Sequence, residues 1–227
     1  MAGSHSLQSP PDGVNAAPWV VLLHGMARTA RSMKPLVADL HQAGYRICNV
    51  PYPTRPYDVK GLVERYVGPA VESCGGGQPV HVVAHSLGGI LIRYYLQSGG
   101  LPPGSRIVML APPNHGSEVA DRFRSWPLYR WFLGSVGQQL GTGADSIVHQ
   151  LRPIVAEVGV IAANRSVQPW FSRLIAGEDD GAVSVVSTRL EEMRDFTVVA
   201  SSHSLMLFNR QVRAQVRHFL AEGRFAR

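Results

Sequence analysis

Continuous apolar runs alternate with amphipathic stretches along most of the chain. Trp19 to Leu23 is apolar throughout, the pattern of a strand buried on both faces of a parallel sheet. It ends in His24-Gly25-Met26. Ala30 to Ala43 carries Met33, Leu36, Val37 and Leu40 at helical spacing, and Gly44 stops it. Tyr45 to Val50 reads as a second strand and Pro51 to Pro56 as a proline-broken loop. Val59 to Cys74 reads as a helix closed by Gly75-Gly76-Gly77. Val80 to His85 is a third strand, followed by Ser86 and a helix to about Gln97. Arg106 to Ala111, Glu157 to Ala162 and Phe196 to Ala200 complete the strands, with a short extended stretch at Arg173 to Ala176. Leu205 to Leu220 predicts an amphipathic helix with Leu205, Phe208, Val212, Val216 and Phe219 on one face. This alternation predicts an α/β fold: a doubly wound, mostly parallel sheet of about six strands, flanked by helices.

One segment breaks the rhythm. Residues 118–151 hold Trp126, Leu128, Tyr129, Trp131, Phe132 and Leu133, then Gly134 to Gly143 and a short helical piece, with no strand. A connection of that length is usually functional, and a small helical cap over the site is expected here. Residues 19–227 are expected to form a single domain, and no internal repeat or second domain is visible. Met1 to Pro18, rich in Ser, Pro and Gly, reads as a flexible tail. It lacks the charged and apolar regions of a signal peptide.

The 227 residues include 45% hydrophobic and 17% charged positions, a composition that can bury a core and is unlike a disordered chain. No run is long enough for a transmembrane segment. Cys48 and Cys74 lie in no metal-like or C-x-x-C spacing and read as two reduced thiols, which makes a cytoplasmic location the expectation. The net charge is +6, with Arg210, Arg213, Arg217, Arg224 and Arg227 crowding the C-terminus and Arg122, Arg124 and Arg130 forming a second group. These groups read as solvated helix faces. No nucleic-acid motif accompanies them, so no nucleic-acid partner is expected, and weak contact with a membrane surface is the one macromolecular contact the charge allows. No oligomeric state can be read from the pattern.

The chemistry gathers around Ala84-His85-Ser86-Leu87-Gly88-Gly89, which follows an apolar strand and opens a helix. A serine on such a strand–turn–helix junction is lifted clear of the sheet edge, and the positions two before and two after it must be small because strand and helix backbones nearly touch. A serine hydroxyl is a poor nucleophile at neutral pH and needs a histidine base, itself oriented by a carboxylate. His203 lies between the last strand and the final helix. The carboxylate candidates sit in Glu178-Asp179-Asp180-Gly181. Asp180, in the Asp-Gly turn, is favoured, with Asp179 the alternative. The oxyanion donors are expected to be the backbone N–H groups of Leu87 and of Met26, each such donor being worth ~3 kcal/mol in the transition state. His24, His85, Trp131 and Phe132 are the candidates for lining the substrate pocket.

Taken together, these stretches resemble the α/β-hydrolase superfamily, and within it the small bacterial serine lipases and esterases of the Bacillus lipase type. Leu22-Leu23-His24-Gly25-Met26 resembles their oxyanion loop, and Ala84 to Gly89 their A-H-S-M-G-G elbow. Asp180-Gly181-Ala182-Val183 and His203-Ser204-Leu205-Met206 resemble their acid and histidine loops, and Pro113 to Ser117 is similar to the P-N-x-G-S loop of bacterial lipases. The likeness runs from about Trp19 to Phe219. Residues 118–151 depart from it, being larger than the smallest lipases have. The resemblance implies an α/β-hydrolase fold and a serine carboxylic-ester hydrolase with a Ser86–His203–Asp180 triad. A small-molecule or lipid ester would be the substrate, and no cofactor or metal is implied. Thioester or amide cleavage, acyl transfer, and a non-catalytic lipid-binding module are the alternatives on the same scaffold.

Overall fold

The computed structural model describes residues 17–227, so the expected tail, apart from Ala17 and Pro18, lies outside the described residues. Six strands, β1 (Trp19–Leu23), β2 (Arg46–Asn49), β3 (Val80–His85), β4 (Arg106–Leu110), β5 (Glu157–Ala163) and β6 (Asp195–Val199), form one parallel sheet in the order β2-β1-β3-β4-β5-β6. The apolar runs behave as both-face strands must. Val21, Leu23, Val82, Ala84, Ile107, Met109, Val158 and Val160 feed one core. Their neighbours Val20, Leu22, Val83, Val108, Leu110 and Ile161 feed a second core on the opposite face.

Helices cover both faces. The first core is closed by α2 (Val59–Leu62), a π turn (Val63–Val67) and α3 (Gly68–Gly75), and by α4 (Leu87–Tyr95), which buries Leu87, Ile90, Leu91 and Ile92. The second is closed by α1 (Lys34–Gln42), entered through a 3-10 turn at Ala30–Met33, and by α9 (Arg210–Glu222). Gly159 permits the α9 contact, because a Cβ there would lie 2.4 Å from the Phe219 ring. The connection from β4 to β5 holds α5 (Glu118–Phe123), α6 (Pro127–Gln138) and α7 (Ile147–Gln150), and α8 (Pro169–Ser172) follows β5. Gly134, at φ +64°, kinks α6 where its backbone meets the Arg55 carbonyl.

Three local expectations are corrected. Arg173 to Ala176 is turn, not extended chain. The helix expected to end near Gln97 ends at Tyr95. The last helix starts at Arg210, because Asn209 caps it by accepting from the N–H groups of Gln211 and Val212. Met206–Phe208 is a separate 3-10 turn, and Leu205 and Phe208 stand 53% and 60% exposed, off the buried face of α9.

The C-terminal arginines are only partly a solvated face. Arg213 and Arg217 pair with Asp39 of α1, and Arg227 pairs with Asp195 at the start of β6. Cys48 and Cys74 are free thiols close enough to interact; burial and the Cys74 thiol push Cys48 up to about 12. No helix among the described residues is long and apolar enough to cross a membrane.

Candidate active site

In this strand order the chain leaves β1 toward β2 on one side and leaves β3 toward β4 on the other. The crevice between the carboxyl ends of β1 and β3 is therefore the topological switch point, where open α/β sheets bind ligands. Ser86 stands there with φ +52° and ψ −118°, a conformation that costs a non-glycine residue about 1–3 kcal/mol. The backbone on either side of it packs closely. A Cβ on Gly88 would lie 2.6 Å from the Leu23 carbonyl oxygen, and one on Gly89 would lie 2.8 Å from Pro112 Cβ. The small residues after Ser86 let α4 sit directly against β1 and the loop after β4.

The ring of His203 lies between serine and carboxylate. Its Nδ1 is 2.7 Å from Asp180 Oδ2 and its Nε2 is 3.0 Å from Ser86 Oγ. A carboxylate only accepts, so Nδ1–H donates to Asp180 and Nε2 accepts the Ser86 hydroxyl. Asp180 is buried, and its Oδ1 accepts from the N–H groups of Ala182 and Val183 at 3.0 and 2.9 Å. Its own carbonyl accepts the His203 N–H at 3.0 Å, tying the two loops together by backbone as well. Asp179 turns away: its Oδ1 accepts from Ser172 Oγ and Gly181 N, both at 2.7 Å. The geometry thus separates the two candidates that the sequence left open, bringing Asp180 to the histidine.

The other candidates fall into two groups. Leu87 N is the first amide of α4, and Met26 sits in the facing loop, half-buried beside Gly137 of α6. His24 and His85 are buried beneath that loop. His85 Nε2 donates to the His203 carbonyl at 3.1 Å, its ring lies 5.0 Å from the His203 ring, and its Nδ1 has no hydrogen-bond partner among the described residues. Burial first, then the neighbouring His203, holds His85 well below the usual imidazole range, so the ring is neutral. Both of these pocket candidates are buried, at 0% and 2% exposure. Trp131 is 64% exposed with the Arg55 guanidinium 4.3 Å above its ring, and the Phe132 side chain lies outside the described residues.

Tyr52, which no motif marks, holds the β1 loop. Its ring stacks on His24 at 3.9 Å, its hydroxyl donates to the His24 carbonyl at 2.5 Å, and its own carbonyl lies 3.1 Å from His24 Nε2. Thr54 Oγ1 accepts the Ala27 N–H at 3.1 Å. Two links thus fix the loop on either side of Met26. The sequence signal for Tyr52 is weak: an aromatic between Pro51 and Pro53, within a loop too rigid to be merely a connector. Arg93 and Asn114 are a second pair that sequence reasoning misses. Buried Arg93 of α4 donates to the Asn114 carbonyl and side chain, and Asn114 donates to the Thr188 carbonyl, linking α4 to the connection between β5 and β6. Among the described residues no group of three or more His, Cys, Asp or Glu side chains could hold a metal ion.

The profile of the alpha/beta hydrolase family matches residues 20–215. The chain belongs to that family. Among solved structures, this α/β hydrolase is similar to the mature lipase BlEst2 of Bacillus licheniformis, with a TM-score of 0.75 and 19% identity over 95% of this chain and 96% of that one. It is also similar to the phospholipase PlaB of Legionella pneumophila (TM-score 0.67, 19% identity, 91% of this chain and 58% of that one). A metagenomic carboxyl esterase, MGS0156, matches with a TM-score of 0.63 and 18% identity, over 98% of this chain and 80% of that one. At these identities the likeness is one of fold. No curated protein sequence matches the chain.

Proposed function

We propose that this α/β hydrolase is a serine carboxylic-ester hydrolase, with Ser86 as nucleophile, His203 as general base and acid, and Asp180 as the orienting carboxylate. The observation that carries the proposal is the unbroken line from Ser86 Oγ to His203 Nε2 at 3.0 Å and from His203 Nδ1 to Asp180 at 2.7 Å. In this reading His203 takes the Ser86 proton as Oγ attacks the acyl carbon, and Asp180 stabilises the imidazolium that forms. The amides of Met26 and Leu87 receive the developing oxyanion. His203 then protonates the departing alcohol, and a water deprotonated by His203 releases the acid from the acyl-enzyme. Residues 118–151 act as a cap in this reading, with α6 seated against Met26. The lipase, phospholipase and esterase named among the structural relatives make an ester or lipid ester the substrate class to test first.

The test is hydrolysis of p-nitrophenyl esters from acetate to palmitate by the wild type and by Ser86→Ala. Turnover by the wild type and a fall of at least about 10⁴-fold in kcat for the variant are expected. No turnover of any ester by folded wild-type protein, or full activity in Ser86→Ala, would overturn the assignment.

A further inference from the structure

Two adjacent residues reach His203 from the end of β3. Ser86 Oγ meets its ring, and His85 Nε2 donates to its carbonyl at 3.1 Å. The second contact has a rigid anchor. His85 closes β3, pairs with Leu110 of β4, and is followed by the Ser86 N–H, which donates to the Leu110 carbonyl at 2.9 Å. His203 has no such support of its own. It lies between β6 and the Met206–Phe208 turn, outside any helix or strand. Both of its peptide groups are held from elsewhere, the N–H by the Asp180 carbonyl at 3.0 Å and the C=O by His85. Among the described residues, the His85 imidazole is the one hydrogen-bond donor to the His203 carbonyl.

The His85 ring suits that donation. Burial keeps it neutral, so it carries one N–H. Nδ1 faces Gly25, where a Cβ would lie 2.9 Å from it, and it finds no hydrogen-bond partner among the described residues. The single proton therefore belongs on Nε2, against the carbonyl oxygen. The missing Cβ of Gly25 leaves room for the ring, which is wedged between the loop after β1 and the loop of His203. Its ring lies 5.0 Å from the His203 ring, without a hydrogen bond between the two. His85 thus acts on His203 through the backbone.

We propose that His85 is a positioning residue: by holding the His203 carbonyl from the end of β3, it sets the distance and angle at which His203 Nε2 meets Ser86 Oγ. The proposal rests on the triad reading given above. Without this bond the His203 loop keeps its links to Asp180 and loses its backbone link to β3. The base would then still be oriented by its carboxylate, while its approach to the serine loosened. A misplacement of about 1 Å between reacting groups can cost about 100-fold in rate. The loss belongs to the proton-transfer step and not to substrate binding, so it falls on kcat.

The experiment compares His85→Gln, whose side-chain amide can donate from the place of Nε2, with His85→Phe, which fills the space and cannot donate. Turnover of p-nitrophenyl acetate and the rate at which a fluorophosphonate labels Ser86 are measured in both. His85→Phe is expected to lower kcat and the labelling rate by about tenfold or more with KM nearly unchanged, and His85→Gln to stay within about threefold of wild type. A ring that only fills space would give the opposite order, because Phe replaces its volume better. A second measurement needs no variant to fold: in wild-type protein labelled with 15N-histidine, the ring nitrogen shifts of His85 are expected to show a protonated Nε2 and a bare Nδ1. A proton on Nδ1, equal activity in the two variants, Phe outperforming Gln, or a loss confined to KM would overturn the proposal. Wild-type protein that neither labels nor turns over ester fails the triad reading itself, and this proposal with it. Wild-type protein that labels while both variants label alike fails this proposal alone.

Discussion

At the amino edge of the sheet, side chains find partners. Arg106 donates to Glu157 and to the carbonyls of Leu220 and Ala221 at the end of α9, and Arg194 pairs with the other oxygen of Glu157. His81 Nδ1 accepts the Arg106 N–H at 3.0 Å, and Ser105 Oγ accepts the Val80 N–H. At the carboxyl edge, satisfied groups such as Asp180 and Tyr52 stand beside strained and unpartnered ones. The non-glycine residues with positive φ among those described, Ala27, Ser86 and Ala111, follow β1, β3 and β4 there. His85 Nδ1, Ser202 Oγ, Asn164 Oδ1 and Glu118 Oε2 are buried on that side without hydrogen-bond partners among the described residues. One set of strands thus begins in satisfied contacts and ends under strain. That division is expected if the amino edge serves stability while the carboxyl edge holds reacting groups in positions they would not choose.

The sharpest break of this comparison is Gly88→Ala. The new Cβ would lie 2.6 Å from the Leu23 carbonyl oxygen and 2.9 Å from Leu23 Cβ, and neither the strand nor the helix can retreat. The variant is expected to lose about 3 kcal/mol or more in urea unfolding. Gly100, away from this edge, lacks a positive φ, and a Cβ added there would meet nothing within 4 Å, so Gly100→Ala is expected to be neutral or slightly stabilising. Equal losses in the two variants would mean that the elbow is no tighter than an ordinary turn.

The amino edge is probed by pH. Burial, then the Arg106 cation, lowers His81 from 6.5 to about 4. Below pH 6.5 the unfolded chain binds a proton that the folded chain refuses, so His81 makes stability fall as pH drops toward about 4, where the loss levels off. The loss amounts to about 3 kcal/mol. Urea unfolding of wild type and His81→Gln between pH 7 and pH 4 should show the variant losing less by that margin. Parallel curves would mean that His81 is free to protonate in the fold, and that the amino edge is less rigidly satisfied than its hydrogen bonds indicate.

Much of this architecture is legible in the chain because parallel strands buried on both faces must be apolar throughout, and the positions around Ser86 must be small. The misreadings have equally physical causes. Leu205 and Phe208 continue the spacing of Val212, Val216 and Phe219, so periodicity alone extends the last helix backward. Only the extended backbone of Asn209 interrupts it, and the asparagine cap is the signal to weigh. Asp179 and Asp180 have the same side chain one residue apart. What separates them is the turn, with Gly181 at φ +93° sending one carboxylate to Ser172 and the other to His203. Tyr52 acts on His24 across 28 residues, a contact that no local pattern encodes.

The smallest effect tests whether strain at the carboxyl edge can be removed without cost to function. Ala27 is exposed at φ +53°, immediately after Met26, and its amide is held by Thr54. Because the residue is exposed, Ala27→Gly removes left-handed strain without opening a cavity. The strain relieved, ~1–2 kcal/mol for an alanine, is partly offset by the greater freedom of glycine in the unfolded chain. A net gain of about 0.5–1 kcal/mol in thermal unfolding is expected. On the ester-hydrolase reading proposed above, turnover is expected to fall several-fold, with the loss in kcat rather than KM, because the loop that carries Met26 would sample more orientations. A stabilised variant with unchanged kcat would show that the strain at Ala27 is incidental, leaving Ser86 as the strained position to which the proposed chemistry ties function.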